Sequence, residues 1–185
     1  MAIEEPTFIV ESKAAHYEIR KYALIVVAET KIESDFENAG NQAFRILAGY
    51  IFGANKSKSK IAMIAPVNQV ASSEKIAMTA PVTQSNGASG FLVQFTMPKQ
   101  YTLDALPTPN DSRVQLRQLP AREIAGFNYS GSWSESRYQE NLKNFTEDLK
   151  RDQIETVGEP VLARFNSPFQ LWFLRRNEIW IEVKK

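Results

Sequence analysis

One histidine, no cysteine and four methionines set the limits of what this chain can do chemically. Without cysteine there are no disulfides, thiolate metal sites, thiol nucleophiles or thioether-anchored cofactors. A single imidazole, His16, excludes sites built from several, among them the usual structural zinc sets and the two-histidine metalloprotease motif. The standard catalytic signatures are missing as well: there is no Gly-x-Ser-x-Gly elbow, no Gly-x-Gly-x-x-Gly loop and no Walker A loop. Gly53-Ala54-Asn55-Lys56-Ser57 carries glycine and lysine at the wrong spacing for a phosphate cradle and reads as a solvated loop. Glu147 and Asp148 are adjacent on a helical stretch, so their carboxylates point apart and a glycosidase pair has no support. The expectation is a protein that is not an enzyme.

Other side chains suit binding better than catalysis. In the alternation His16, Glu18, Arg20 the imidazole falls on the polar face, opposite Tyr17 and Ile19, and reads as a surface histidine rather than a ligand. Met63, Met78 and Met97 could ligate iron through sulfur or line an apolar pocket, and read first as core filler. Lys56, Lys58 and Lys60 form a hydrated edge, with acidic ligand groups as the alternative partners. The C-terminal stretch is the most unusual: Phe165, Phe169, Trp172 and Phe173 surround a turn that leads into Arg175-Arg176-Asn177-Glu178. So apolar a loop either folds into the core or borders a cleft, where a flat macrocycle could stack while an arginine meets its carboxylates.

The elements that must position these residues are legible from periodicity. The 185 residues, 43% hydrophobic and 23% charged, suit one domain, 1–185, or two small halves sharing a core. The net charge of +1 provides no bulk field for nucleic acid or anionic membrane. The start is acidic rather than signal-like, and the longest apolar stretch, 22–28, is too short to cross a bilayer, so a cytoplasmic protein without a membrane span is expected. β-branched and aromatic runs predict strands at 8–10, 17–32 and 91–97. Phe36, Ala39, Ala43, Leu47, Tyr50 and Ile51 recur at helical spacing, with Ser34 and Glu37 as a capping box and Gly53 as the stop.

The second half repeats this order. Strands are predicted at 114–119, 124–129, 160–165 and 178–183 around a helix carrying Tyr138, Leu142, Phe145 and Leu149, capped by Ser132 with Glu135 or by Ser134 alone. Residues 101–111 read as a surface connection. The class is therefore α+β: two helices on one curved, mostly antiparallel sheet, with halves of about 1–100 and 101–185 related by a βαββ order. A short internal repeat, Lys60-Ile61-Ala62-Met63-Ile64-Ala65-Pro66-Val67 and Lys75-Ile76-Ala77-Met78-Thr79-Ala80-Pro81-Val82, matches at seven of eight positions. It reads as two neighbouring strands, or one strand and one loop segment, each ended by proline.

Those paired blocks, with Tyr17-Glu18-Ile19-Arg20-Lys21-Tyr22, Val27-Ala28-Glu29-Thr30, Tyr50-Ile51-Phe52-Gly53-Ala54-Asn55, Phe95-Thr96-Met97-Pro98 and Leu174-Arg175-Arg176-Asn177-Glu178-Ile179, resemble the SOUL heme-binding protein family over nearly the whole chain. The resemblance implies a distorted, mainly antiparallel β-barrel with two flanking helices, similar to bacterial effector-binding domains. It also implies heme or another tetrapyrrole, such as a porphyrin, in a groove between the first helix and a late loop. By position this groove carries Asn41, Phe44, Arg45 and Ala48 on the helix, and residues 166–173, including Pro168, Phe169, Trp172 and Phe173, on the loop. The family's basic helix positions fall at Asn41 and uncharged neighbours, with Arg45 out of register, and no iron ligand is assigned. A porphyrin can still gain several kcal/mol from apolar burial at roughly 25 cal/mol per Å². Weak, exchangeable binding by a noncatalytic carrier, buffer or sensor is the leading expectation. A module for another small hydrophobic effector, or an enzyme acting on a planar tetrapyrrole-like substrate, are the alternatives.

Overall fold

Both apolar stripes of helical period become helices, and about half of the remaining described residues pair as strands. The computed structural model describes residues 3–57, 73–166 and 170–184. In chain order the elements are β1 (Phe8–Lys13), β2 (Tyr17–Tyr22), β3 (Ile25–Ile32), α1 (Phe36–Ile51), β4 (Asn55–Lys56), β5 (Val82–Gly87), β6 (Gly90–Thr96), β7 (Thr108–Pro109), β8 (Gln115–Leu119), β9 (Arg122–Ser130), α2 (Glu135–Arg151), β10 (Thr156–Arg164), a 3₁₀ turn (Trp172–Leu174) and β11 (Arg176–Val183). Nine strands form one antiparallel sheet in the order β1-β2-β9-β11-β10-β5-β6-β3-β8, and β4 pairs separately with β7. This is an α+β architecture with two helices and a large antiparallel sheet, whose pairing ends at β1 on one side and β8 on the other among the described residues.

The order β2-β9-β11-β10-β5-β6-β3-β8 reads alike from either end once β2, β3, β5 and β6 are exchanged for β8, β9, β10 and β11. Its centre is the β5–β10 pair, where Gln84 faces Leu162 and Val82 faces Arg164 in register. Side-chain alternation divides the sheet into two faces. On one, α1 packs over Val26, Ala28, Val93 and Phe95, while α2 buries Phe145 and Leu149 against Tyr17, Ala125, Leu162 and Ile179. The opposite face carries Tyr22, Ile124, Ala163 and Trp180, with Phe8 and Phe165 packed against them.

Two local expectations are corrected. The cap of α1 is Asp35, not Ser34: the Asn38 amide donates to Asp35 Oδ1 at 2.9 Å, while Ser34 Oγ accepts from Gln42 instead. A carboxylate is the stronger acceptor at the positive end of a helix, and moving the cap by one residue keeps the same spacing. The two-strand reading of the repeat fails, because its second copy is no strand before Val82; Ile76 donates its amide to Ile51 and Ala80 donates to Glu4, so this copy is a pinned connection leading into β5, as the strand-and-loop alternative allows. The first copy lies outside the described residues. Gly53 ends α1 as expected, with φ at +119° in the region that favours glycine. Ser134 occupies the cap position of α2 without a side-chain capping bond.

Candidate functional site

Asn41, Phe44, Arg45 and Ala48 follow i, i+3, i+4, i+7 spacing and so lie along one stripe of α1. The stripe straddles the edge of the core: Ala48 is buried, Phe44 is half-buried with its ring 5.4 Å from that of Phe95, and Asn41 and Arg45 are exposed. In the late segment, Leu171, Trp172, Phe173 and Leu174 are all more than half exposed, Trp172 at 58% and Phe173 at 52%. The two rings meet edge to face at 5.6 Å. This apolar ledge does not fold into the core. Pro168 and Phe169 lie outside the described residues.

Between stripe and ledge stands a side chain that alternation should have made apolar. Arg164, the last residue of β10, shares the helix-facing side with Leu162. Its Nη2 donates to Gln84 Oε1 at 3.1 Å, and Gln84 in turn donates to the Phe36 carbonyl of α1 at 2.9 Å. The buried Nε has no hydrogen-bond partner. Gly40 makes this seat on α1: a Cβ there would stand 2.3 Å from Arg164 Nη1. The guanidinium lies 5.2 Å from the Trp133 ring, and that of Arg175 lies 4.2 Å from the same ring. Trp133 is held by its Nε1–H, which donates to the fully buried Asn177 at 2.8 Å. Burial, assisted by the positive charge of Arg175, pushes the Arg164 guanidinium down to about 10, so it remains a cation at neutral pH. Among the described residues no carboxylate forms an ion pair with it.

Gly40, Gln84, Trp133, Arg164 and Arg175 thus link α1, one residue before Asn41, to the residue that follows the ledge. Sequence reading missed most of them, although an arginine in the helix-facing alternation of β10 was a usable signal. Of the adjacent Arg175 and Arg176, only the first turns toward Trp133. Arg176 faces the other side and is committed to Glu178 and Glu5 at 2.9 and 3.1 Å.

The remaining candidates lie elsewhere. His16 is exposed, and its Nδ1 is 2.9 Å from Asp148 Oδ2, near the C-terminal end of α2. Trp133 precedes the N-terminal end of that 17-residue helix, about 25 Å away along its axis, so His16 is no ligand for a group on the ledge. Met97 is core and Met78 packs against it, while Met63 lies outside the described residues. Asn55, at the start of β4, bridges Tyr50 and Glu74 and is structural. Among the described residues no three His, Asp or Glu side chains gather to hold a metal ion. A cavity of about 230 Å³ opens under the N-terminal segment, between Pro6, Leu24, Met97 and Tyr101.

The family model for SOUL heme-binding protein matches residues 3–182. The chain belongs to this family. Our SOUL chain is 28% identical to heme-binding protein 2 of Mus musculus over 178 residues, 95% of this chain and 82% of the mouse protein. It is 29% identical to heme-binding protein 2 of Homo sapiens over 171 residues, 91% of this chain and 78% of the human protein. Among solved structures, the C-terminal domain of EcmrR aligns with a TM-score of 0.64 at 10% identity, covering 91% of this chain and 97% of that domain. A hydrolase from Listeria innocua aligns at 0.58 and 10% identity over 94% of each chain. At such identity both likenesses speak for the fold alone. Membership implies heme binding at the level of the family, and the donor set fits two parts of a tetrapyrrole. The exposed ledge suits its flat apolar surface, and the orphaned Arg164 Nε suits a carboxylate. No helix of the SOUL chain is long and apolar enough to cross a membrane among the described residues.

Proposed function

We propose that this SOUL protein binds heme or another tetrapyrrole without transforming it, as a cytoplasmic carrier, buffer or sensor, between α1 and the ledge at residues 171–174. The observation that carries the reading is the ledge itself. Four consecutive large apolar side chains, two of them aromatic, stay exposed although burial of each is worth about 1.5–3 kcal/mol. Asn41, Phe44, Arg45 and Ala48 supply the opposite wall. Covering the two rings removes roughly 200 Å² of protein surface from water, about 5 kcal/mol, with a similar gain from the guest. Association itself costs about 4–15 kcal/mol. The surplus is small, and without an iron bond from the protein binding is weak and exchangeable. The palindromic strand order supports a single domain of two pseudo-symmetric halves, about 1–100 and 101–185, and the curl of a distorted barrel.

Hemin titration tests this. A saturable Soret shift is expected, weakened about tenfold in a Trp172→Ala/Phe173→Ala double variant whose melting curve is unchanged, and unaltered in His16→Ala. A spectrum identical to that of hemin with an inert protein overturns the proposal. The 230 Å³ cavity favours a second reading, a module for a smaller hydrophobic effector, because its volume falls below the roughly 300 Å³ at which drug-sized sites begin. Screening hemin, metal-free porphyrin and a linear tetrapyrrole in parallel separates the two.

A further inference from the structure

Arg20 and Arg176, which flank the C-terminal strand, each pair with Glu178, whereas among the described residues Arg164 pairs with no carboxylate. A guanidinium offers five N–H donors in a planar fork that matches a carboxylate. Among the described residues one of these donors is used, toward the neutral Gln84. The groups that counter its desolvation are the Tyr129 hydroxyl and Glu37, neither bonded to it, and Glu37 is itself engaged by the Glu135 amide at the start of α2. Arg175, against the same indole, adds to the positive field instead of cancelling it. An apolar side chain in this place would continue the core begun by Leu162 and would spare the fold a desolvated charge. Gly40 is matched to the arginine: any larger residue on α1 would push the guanidinium off its seat.

We propose that Arg164 is the receptor for a carboxylate of the bound ligand, so that this chain selects acidic tetrapyrroles over neutral ones of the same shape. The inference rests on the tetrapyrrole reading above and deepens it. It moves the anion contact from the helix, where Arg45 is exposed, to the floor between the two central strands. Trp133 sets its ring 5.2 Å from the guanidinium, and Arg175 draws the anion in while its own Nε–H, donated to the Gln170 carbonyl at 2.9 Å, ties down the ledge. The selected class is a planar macrocycle or linear tetrapyrrole bearing at least one free carboxylate.

The test compares hemin with hemin dimethyl ester on the full chain, followed by quenching of tryptophan fluorescence and by absorbance. The wild type binds the diacid about tenfold or more tightly than the ester, the scale of one charge-assisted hydrogen bond. Arg164→Gln and Arg164→Met abolish that ratio by weakening the diacid alone, Arg164→Lys restores part of it, and Arg113→Gln, at an exposed ion pair outside the site, leaves it intact. Both neutral variants melt no lower than the wild type, since they remove an uncompensated charge. Equal affinity of the wild type for diacid and ester overturns the carboxylate receptor and leaves tetrapyrrole binding standing, whereas failure of both to bind removes the parent reading too. A ratio that survives in Arg164→Gln and Arg164→Met, or a melting point lowered in both, also overturns the assignment, the latter by making Arg164 a structural group.

Discussion

On one face of the sheet Arg20 and Arg176 close on Glu178; on the other, Arg164 and Arg175 close on an indole. The first cluster is complete. Glu178 is fully buried and accepts from Arg20 Nη1 at 2.6 Å, Trp180 Nε1 at 2.6 Å and Arg176 Nη2 at 2.9 Å, while Glu18 takes Arg20 Nε at 3.0 Å and Glu5 takes Arg176. Phe8 covers one guanidinium and Phe165 the other. Each arginine meets two carboxylates, and the chain of ion pairs fastens the N-terminal segment to β2 and β11. The second cluster has the same kind of cation and the same aromatic cover, but among the described residues no carboxylate pairs with Arg164. Buried charge is structural where its counter-ion is built in, and available to a ligand where it is not.

The largest effect separating the two belongs to Glu178. Glu178→Gln leaves Arg20 and Arg176 facing a neutral amide, and urea unfolding should report a loss of about 3–5 kcal/mol; a loss under 1 kcal/mol would dissolve the contrast. Arg164→Met should act in the opposite direction. Holding a guanidinium at about 10, below its ordinary value, is unfavourable at neutral pH, and the substitution recovers about 1–3 kcal/mol of stability in the same assay. That native group binds fewer protons than the unfolded one only between those two values, so its burden is fully present at neutral pH and is relieved as pH rises above about 10.

Gly40→Ala sharpens the comparison further. Helix propensity favours alanine by about 1 kcal/mol, and displacement of the Arg164 tip opposes it, so stability should move by less than 1 kcal/mol while selectivity for the diacid falls. The smallest effect is acidic. Hydrogen bonds from Lys13 and then Arg20 hold the Glu18 carboxyl below its ordinary range, so its contribution is present above the unfolded value and is lost as pH falls through the folded one. Thermal melts of Glu18→Gln should therefore show a flatter acid limb than the wild type. Arg164, with no carboxylate partner among the described residues, predicts no such change in Arg164→Met.

Local patterns carried much of the fold into the sequence. The stripe from Phe36 to Ile51 and the steps Tyr138, Leu142, Phe145, Leu149 marked both helices, because a 3.6-residue period is written in neighbouring positions. Alternation marked β9, β10 and β11 in the same way. β5 was missed, since Thr83, Gln84, Ser85 and Asn86 have little apolar content and are held as a strand by pairing with β6 and β10 on either side. The aromatic bend was visible as composition, but its exposure was not: the same residues could have sealed the core.

What the sequence by itself determined, then, is the class of the fold, its two amphipathic helices, its family and the narrow chemistry left to a chain with one imidazole and no thiol. Only the tertiary structure decided that Arg164 meets Gln84, Gly40 and Trp133, that Arg175 and Arg176 part to opposite faces with different partners, and that His16 sits at the far end of α2 from the ledge. Periodicity constrains the direction in which a side chain points. Whether a counter-ion waits there depends on the register of strands some eighty residues apart, as β5 and β10 are, and on the helix laid over their seam.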